Sequence, residues 1–476
     1  MAGTDLRVGL CGIGLDAYWP QFDGLHARLE GYVRHVGERL EKAGAVVEHL
    51  GMVDTPQRGR AAGHACRRAD VDLLVIYVTT YALSSTVLPM VQRAQVPVLV
   101  LNLQPDAAID YEAFNRLPNR TAMTGEWLAY CSACPVPEIA NVLSRAGIPF
   151  HQVTGVLGES EVWAEIDDWI AAARVKKALA DNRLGLMGHY YSGMLDIQTD
   201  VTQVAITFGS HIEHVEVDEL SALRDGVSAE EIKARVEDFR NHFDVQPDCA
   251  QTELERAART SVALDRFAAA YDLQSLAYYY MGSGVPANED TLSSIILGTS
   301  LLTARGIPVA GEYEVKNVLA MKIMDCLGAG GSFTEYYALD LKADHVLMGH
   351  DGPGHIAIAE SKTKVRPLAV YHGKVGRGLS VEMRVRTGPV TLLSVVEDSV
   401  TRGFKLLVAE GATEAGPILE IGNTNSRYRF PIGARAFLTR WNEQGPAHHC
   451  AVGVGHVGGR LEKLGKLLEI PVFTVG

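Results

Sequence analysis

The chain has 476 residues, 47% of them hydrophobic and 21% charged, an ordinary globular composition that excludes disorder. That length exceeds a single core and implies roughly two to four domains. With 44 basic against 57 acidic residues the net charge is −13, which argues against nucleic acid or an anionic membrane as a partner. The start, Met-Ala-Gly-Thr-Asp, shows no basic segment followed by an apolar one, so the expectation is a cytoplasmic protein without a secretory signal. The most apolar long window, 71–91, is interrupted by Asp72 and Pro89 and reads as strand, loop and helix rather than a membrane span. Seven scattered cysteines fit a reducing compartment. Cys131 and Cys134 form a lone Cys-x-x-Cys without a second pair, and we assign it no metal or redox role.

In chain order, residues 7–12 predict a strand. Residues 25–43 predict a helix, with Leu25, Leu29, Val33, Val36 and Leu40 on one stripe. Strands at 45–50, 73–78, 98–101 and 150–153 alternate with helices near 61–68, 86–94 and 136–146. Unbroken apolar strands between amphipathic helices indicate a parallel sheet covered on both faces. The predicted N-terminal domain, 1–181, is a flavodoxin-like doubly wound α/β domain closed by a helix at 161–181. A second α/β domain is predicted over 182–327. It holds strand-like runs at 184–191, 204–209 and 212–217, a helical block at 228–243 and a helix at 252–271. An aromatic strand at 274–281 and helices at 291–305 and 312–327 complete it. A C-terminal β-rich domain, 328–476, carries short strands at 345–348, 368–371, 378–386, 390–397, 405–409, 418–421 and 427–431. That spacing predicts an antiparallel barrel-like fold or a sandwich, ended by a helix at 460–468 and a strand at 471–475.

Gly12-Ile-Gly14-Leu-Asp-Ala17 matches the dinucleotide fingerprint, which needs a helix to begin at once. Here the loop continues through Tyr18-Trp19-Pro20-Gln21, so a strand-end turn is the better reading and no cofactor-binding residue is assigned. An aromatic loop at the carboxyl end of a parallel strand still suits contact with a small ligand.

Carboxylates and imidazoles gather between Gly311 and His355, and again at His448-His449. Glu312 is expected in the first turn of a helix, where the dipole favours it. Glu335 stands among Phe333, Tyr336 and Tyr337, where an unpaired carboxylate is costly. His350 ends an apolar strand at a glycine-rich turn. His345, His350 and His355 recur every five residues, which fits neither helix nor strand. His448 and His449 are adjacent, so on a strand they point to opposite faces and at most one meets a site. These types could ligate a divalent ion, but separations of 23, 15 and 99 residues between Glu312, Glu335, His350 and His449 match no local ligand motif. Residue reasoning alone ends there.

Gly-Glu with a lysine four residues on (Glu312, Lys316), Ser-Phe-x-Glu (Glu335), Val-Leu-x-Gly-His (His350) and Ala-His-His (His449) occur in the order found in the L-arabinose and L-fucose isomerase superfamily, which the chain resembles over nearly its whole length. The resemblance implies a metal-dependent aldose–ketose isomerase acting on a free pentose or hexose through an ene-diol. It implies Glu312, Glu335, His350 and His449 as ligands of Mn²⁺, with Co²⁺, Fe²⁺ or Mg²⁺ as alternatives. Glu312 and Glu335 would also carry protons, and His448 would orient a substrate hydroxyl. Tyr18, Trp19, Met187 and Tyr280 would contact the sugar. It implies a homo-hexamer or homo-tetramer with sites at subunit interfaces. The competing expectations are a non-catalytic sugar-binding protein and a nicotinamide-dependent oxidoreductase using the Gly12 loop.

Overall fold

A computed structural model of the chain describes residues 5–281, 284–368, 377–398, 400 and 403–476. The chain divides into two compact units, Met1–Lys177 and Ala178–Gly476.

In the first unit the elements run β1 (Arg7–Ile13), α1 (Leu25–Lys42), β2 (Val46–Val53), α2 (Pro56–Arg68), β3 (Leu73–Val78), α3 (Ser84–Ala94) and β4 (Val98–Gln104). The short helices α4 (Tyr111–Asn115) and α5 (Arg120–Tyr130) follow, then α6 (Val136–Arg145), β5 (Phe150–Val156) and α7 (Ser160–Ala180). The five strands form one parallel sheet in the order β2-β1-β3-β4-β5. All six residues of β3 are buried, as a central strand covered on both faces requires. The predicted stripe of α1 is buried residue for residue. Sequence reasoning missed α4 and α5, whose starts are set locally by Asp110 and Asn119 accepting from the amides of Ala113 and Ala122.

Gly12 and Gly14 have a packing explanation. A Cβ on Gly12 would lie 2.4 Å from Val33 Cγ2, and one on Gly14 2.8 Å from the Trp19 ring. Helix α1 begins only at Leu25, too far on to present its N-terminus to a pyrophosphate at this turn.

The second unit opens with β6 (Arg183–Gly188), α8 (Val201–Phe208), β7 (His211–Val215), α9 (Val217–Asp225), α10 (Ala229–His242), β8 (Asp244–Val245) and α11 (Gln251–Ala270). It continues with β9 (Ser275–Tyr279), α12 (Pro286–Leu292), α13 (Ile296–Ala304), β10 (Val309–Ala310) and α14 (Val315–Cys326). Strands β10-β9-β6-β7 make a parallel sheet. Then come β11 (Ser332–Asp340), β12 (His345–His350), β13 (Lys364–Pro367), β14 (Leu379–Glu382), β15 (Gly388–Asp398), β16 (Gly403–Thr413) and β17 (Thr424–Arg429). The chain ends through α15 (Ala434–Asn442), β18 (His449–Val454), α16 (Gly458–Leu468) and β19 (Val472–Thr474). Strands β15-β18-β11-β12-β17-β16 pair in sequence, and β16 pairs back to β15, so six antiparallel strands close into a barrel. Val346, Leu392, Leu407, Tyr428 and Val452 share one apolar core with Phe437 and Trp441 of α15.

Several sequence expectations need correcting. Residues 204–208 are helical in place of the expected strand, with Gly209 as the left-handed C-cap. Asp200 caps α8 by accepting from the amides of Thr202 and Gln203, and burial of Val204 and Phe208 beside exposed Ile206 is a period of four, not two. The helix expected at 291–305 is broken into α12 and α13, where Ser293 and Ser294 bond to Arg256 and Thr260 of α11. No strand forms at 418–421, because Asn425 holds both the amide and the carbonyl of Leu419. Of the strand expected at 368–371, residues 369–371 lie outside the described residues. Helix α14 starts at Val315, later than the expected 312. No described helix is long and apolar enough to cross a membrane.

Candidate functional site

Three barrel strands bring the downstream residues together. On β11, Glu335 lies directly opposite His449 of β18 on one side and Gly349 of β12 on the other. Directly paired residues project to the same face of a sheet, which puts Glu335 beside His449, and His350 follows Gly349 at the end of β12. Glu312 arrives from the turn between β10 and α14. Glu312 and Tyr313 have φ of 58° and 62°, the left-handed region that bulky residues rarely adopt. The turn is held by Tyr313 N donating to Tyr278 O at 3.0 Å and Glu314 N donating to Gly311 O at 3.0 Å. Strain of this kind costs about 1–3 kcal/mol per residue and collects at functional sites. Here it replaces the expected first-turn helix position of Glu312 and sets that carboxylate among the imidazoles.

Glu312 Oε2 is 3.4 Å from His449 Nε2, and Glu312 Oε1 is 3.9 Å from His350 Nε2. His448 Nε2 is 3.8 Å from Glu312 and 4.0 Å from Glu335. Ligand-type atoms of Glu312, His350 and His449 lie within 4.8 Å of one another, as do those of Glu335, His448 and His449. Both histidines of the pair thus approach the cluster, where strand alternation alone allowed one. Strand β18 starts at His449, so strand alternation does not govern His448. The two ring centroids are 3.8 Å apart.

The supporting residues are specific. The Phe333 ring, fully buried, packs 4.2 Å from the His350 ring and 4.4 Å from that of His449. Glu314, also fully buried, puts Oε2 3.5 Å from His449 Nδ1, the arrangement in which an outer carboxylate orients an imidazole whose other nitrogen faces a metal. Burial raises Glu312 to about 7, with His448 opposing and Glu335, Glu314 and Asp351 adding to the rise. Burial likewise raises Glu314 to about 7 against Lys316 and His448. Burial holds His449 well below the usual histidine range, with His448 adding to it.

A divalent cation suits this donor set. Glu312 Oε2 and His449 Nε2 are buried without a hydrogen-bond partner among the described residues. Ligand oxygens and nitrogens about 2.0–2.2 Å from one ion stand about 3–3.5 Å apart, a range that holds their present 3.4 Å. Carboxylate and imidazole donors fit Mn²⁺, Fe²⁺ or Co²⁺ better than a soft ion.

A cleft lined by Glu312, Glu335, His350 and Asp351 together with Tyr191, Tyr279 and Tyr280 opens at the cluster. Tyr280, one of the expected sugar contacts, is among the residues that line this cleft. Met187 is wholly buried in the apolar core with Val215 and Tyr278, because β6 is an inner strand of its sheet. Tyr18 and Trp19 belong to the first unit, in the turn after β1, where the Trp19 indole donates to Asp54 at 2.7 Å. Sequence reasoning passed over Glu314, Asp196, Tyr191 and Asp351. Glu314 lies two residues beyond Glu312, but only the fold shows its burial.

No protein-family model matches the chain. L-arabinose isomerase of Nocardioides sp. is 23% identical over 354 residues, 70% of this chain and 68% of that protein. That of Shouchella clausii is 21% identical over 266 residues, 52% of this chain and 53% of the relative. That of Saccharophagus degradans is 21% identical over 459 residues, 92% and 87% respectively. The chain thus spans from about half to about two thirds of the first two relatives' length. A solved ABC-transporter solute-binding protein from Burkholderia multivorans, 14% identical, covers 69% of this chain and 93% of its own with a TM-score of 0.19, too low to bear on the fold. Fold and site define a mixed α/β protein with a closed barrel and a carboxylate–histidine cluster. The likeness in sequence is to L-arabinose isomerases, at low identity.

Proposed function

We propose that the protein is a metal-dependent aldose–ketose isomerase acting on a free pentose or hexose. What supports this reading is the convergence of Glu312, His350 and His449, and of Glu335 with His448 and His449, from distant segments, with Glu312 Oε2 and His449 Nε2, which have no hydrogen-bond partner among the described residues, 3.4 Å apart. Those four residues would hold the ion, and a divalent cation there supplies Lewis-acid polarisation of two adjacent sugar oxygens. One glutamate removes the proton from C2 and the other assists proton exchange between O1 and O2. Return of a proton to C1 completes the ketose, and the carboxylates exchange roles in the reverse direction. His448 accepts from a substrate hydroxyl through Nε2. The tyrosines of the cleft limit access of water. The same reading takes Mn²⁺ as the metal and a homo-hexamer or homo-tetramer as the assembly, with Tyr18 and Trp19 as sugar contacts.

The test uses protein stripped with EDTA, refilled with Mn²⁺ and incubated with a panel of aldoses in D₂O while NMR follows ketose formation and deuterium entry. Ketose formation from one sugar, lost without metal, is the expected result. No metal retention and no exchange across the panel would overturn the reading.

A further inference from the structure

His448 is held from a direction that sequence did not reveal. Residues 189–200 connect β6 to α8, and within them Asp196 Oδ2 accepts from the backbone amide of His448 at 3.0 Å and lies 2.6 Å from its ring Nδ1. Two residue-specific anchors fix this segment. Lys316, nearly buried in the first turn of α14, donates Nζ to Asp196 O at 2.7 Å and to Gln198 O at 2.9 Å. Ile197, between them, is fully buried. A carboxylate is an acceptor only, so an imidazole nitrogen bonded to it carries the proton. The other nitrogen, Nε2, is the one that points at Glu312 and Glu335.

We propose that Asp196 is a positioning residue for His448: it fixes the proton on Nδ1 and presents Nε2 to whatever oxygen occupies the space beside Glu312 and Glu335. This rests on the isomerase reading for its purpose and on the geometry alone for its existence. Outer carboxylates of this sort set both ring orientation and tautomer. Among the described residues the Asp196 side chain hydrogen-bonds to His448 and its charge also acts on His449, so the metal content of each Asp196 variant is measured alongside its activity.

The test observes the ring directly. Protein labelled with ¹⁵N-histidine and stripped of metal is examined by long-range ¹H–¹⁵N correlation, with His448→Gln assigning the signal. In the unaltered chain the proton is expected on Nδ1, and Asp196→Asn, whose amide oxygen still accepts, should keep it there. Asp196→Ala should let the ring average between tautomers. In the Mn²⁺-loaded protein, Asp196→Ala should lose about 10–100-fold in kcat, the usual range for an outer partner, at unchanged metal content, and Asp196→Asn should restore most of it. A proton on Nε2 in the unaltered chain, or a His448 signal indifferent to Asp196→Ala, would overturn the proposal; the first of these decides even if the alanine variant does not fold. Failure of the isomerase reading would show separately, as an unaltered chain that turns over no aldose while the ring signals behave as expected.

Discussion

At the scale of single residues, the site is a set of charged and imidazole groups kept in place by neighbours that do no chemistry. Phe333 is the clearest case, since its ring supports two histidines at once. Phe333→Ala removes a fully buried aromatic and should cost about 3–5 kcal/mol in stability, measured by denaturant unfolding of the metal-free protein. It should also weaken metal binding, because both imidazoles lose their packing surface. Glu314 acts through hydrogen bonding instead. Glu314→Gln keeps the shape but removes the carboxylate facing His449 Nδ1, and Mn²⁺ affinity should fall about 10–100-fold in a competition titration with a chelator. An unchanged affinity would assign Glu314 to packing alone. The identities of Glu312, Glu335, His350 and His449 were legible as motifs in order. Asp196 was not, because a lone aspartate in a polar loop carries no periodic or spacing signal and meets His448 only across 252 residues.

At the scale of elements, the strand registers decide which residues meet. Gly349 sits in β12 where a Cβ would lie 2.0 Å from Thr424 O and 2.8 Å from Asn425 Cα of β17, the very pair that sets the register beside His350. Gly349→Ala should push β12 from β17, lowering stability by about 1–3 kcal/mol and metal affinity with it, read by thermal melting with and without Mn²⁺. Ser228→Ala makes a useful contrast. It removes the capping box at the start of α10, where Ser228 and Glu231 satisfy each other's amides, and should cost about 1 kcal/mol with metal affinity unchanged. Helices and strands with a strong period were readable: the stripe of α1, all of β3 and most barrel strands. Those that failed did so for local reasons, such as the capped helix α8 read as a strand and the Ser293–Ser294 break that divided one expected helix in two.

For the whole molecule, acid should weaken the second unit by removing charge from carboxylates paired at its surface, a modest effect because exposed pairs are screened by solvent. Hydrogen bonds from Ser228 and Arg266 hold Glu231 down at about 2, and those from Arg429 and His345 hold Glu414 at about 2. Both values lie below the usual carboxylate near 4.3 of an unfolded chain. The folded state therefore binds fewer protons than the unfolded one between these limits. The stabilisation is fully present above about pH 5 and is lost as pH falls toward about 2. Denaturant midpoints measured in EDTA should fall across that window, and Glu414→Gln should flatten the fall; a midpoint unchanged from pH 5 to 3 would refute this. By itself the sequence determined the alternation of strands and helices, the α/β class and the barrel-like C-terminal region, since each is written in local periodicity; the four candidate site residues were proposed only through the resemblance of short motifs in order to a known family. Only the tertiary structure decided that the barrel closes, that Glu312 sits in a left-handed turn, that both His448 and His449 face one cluster, and that Met187 is core. Those outcomes depend on strand register and on contacts between residues up to 252 positions apart, which no local pattern encodes.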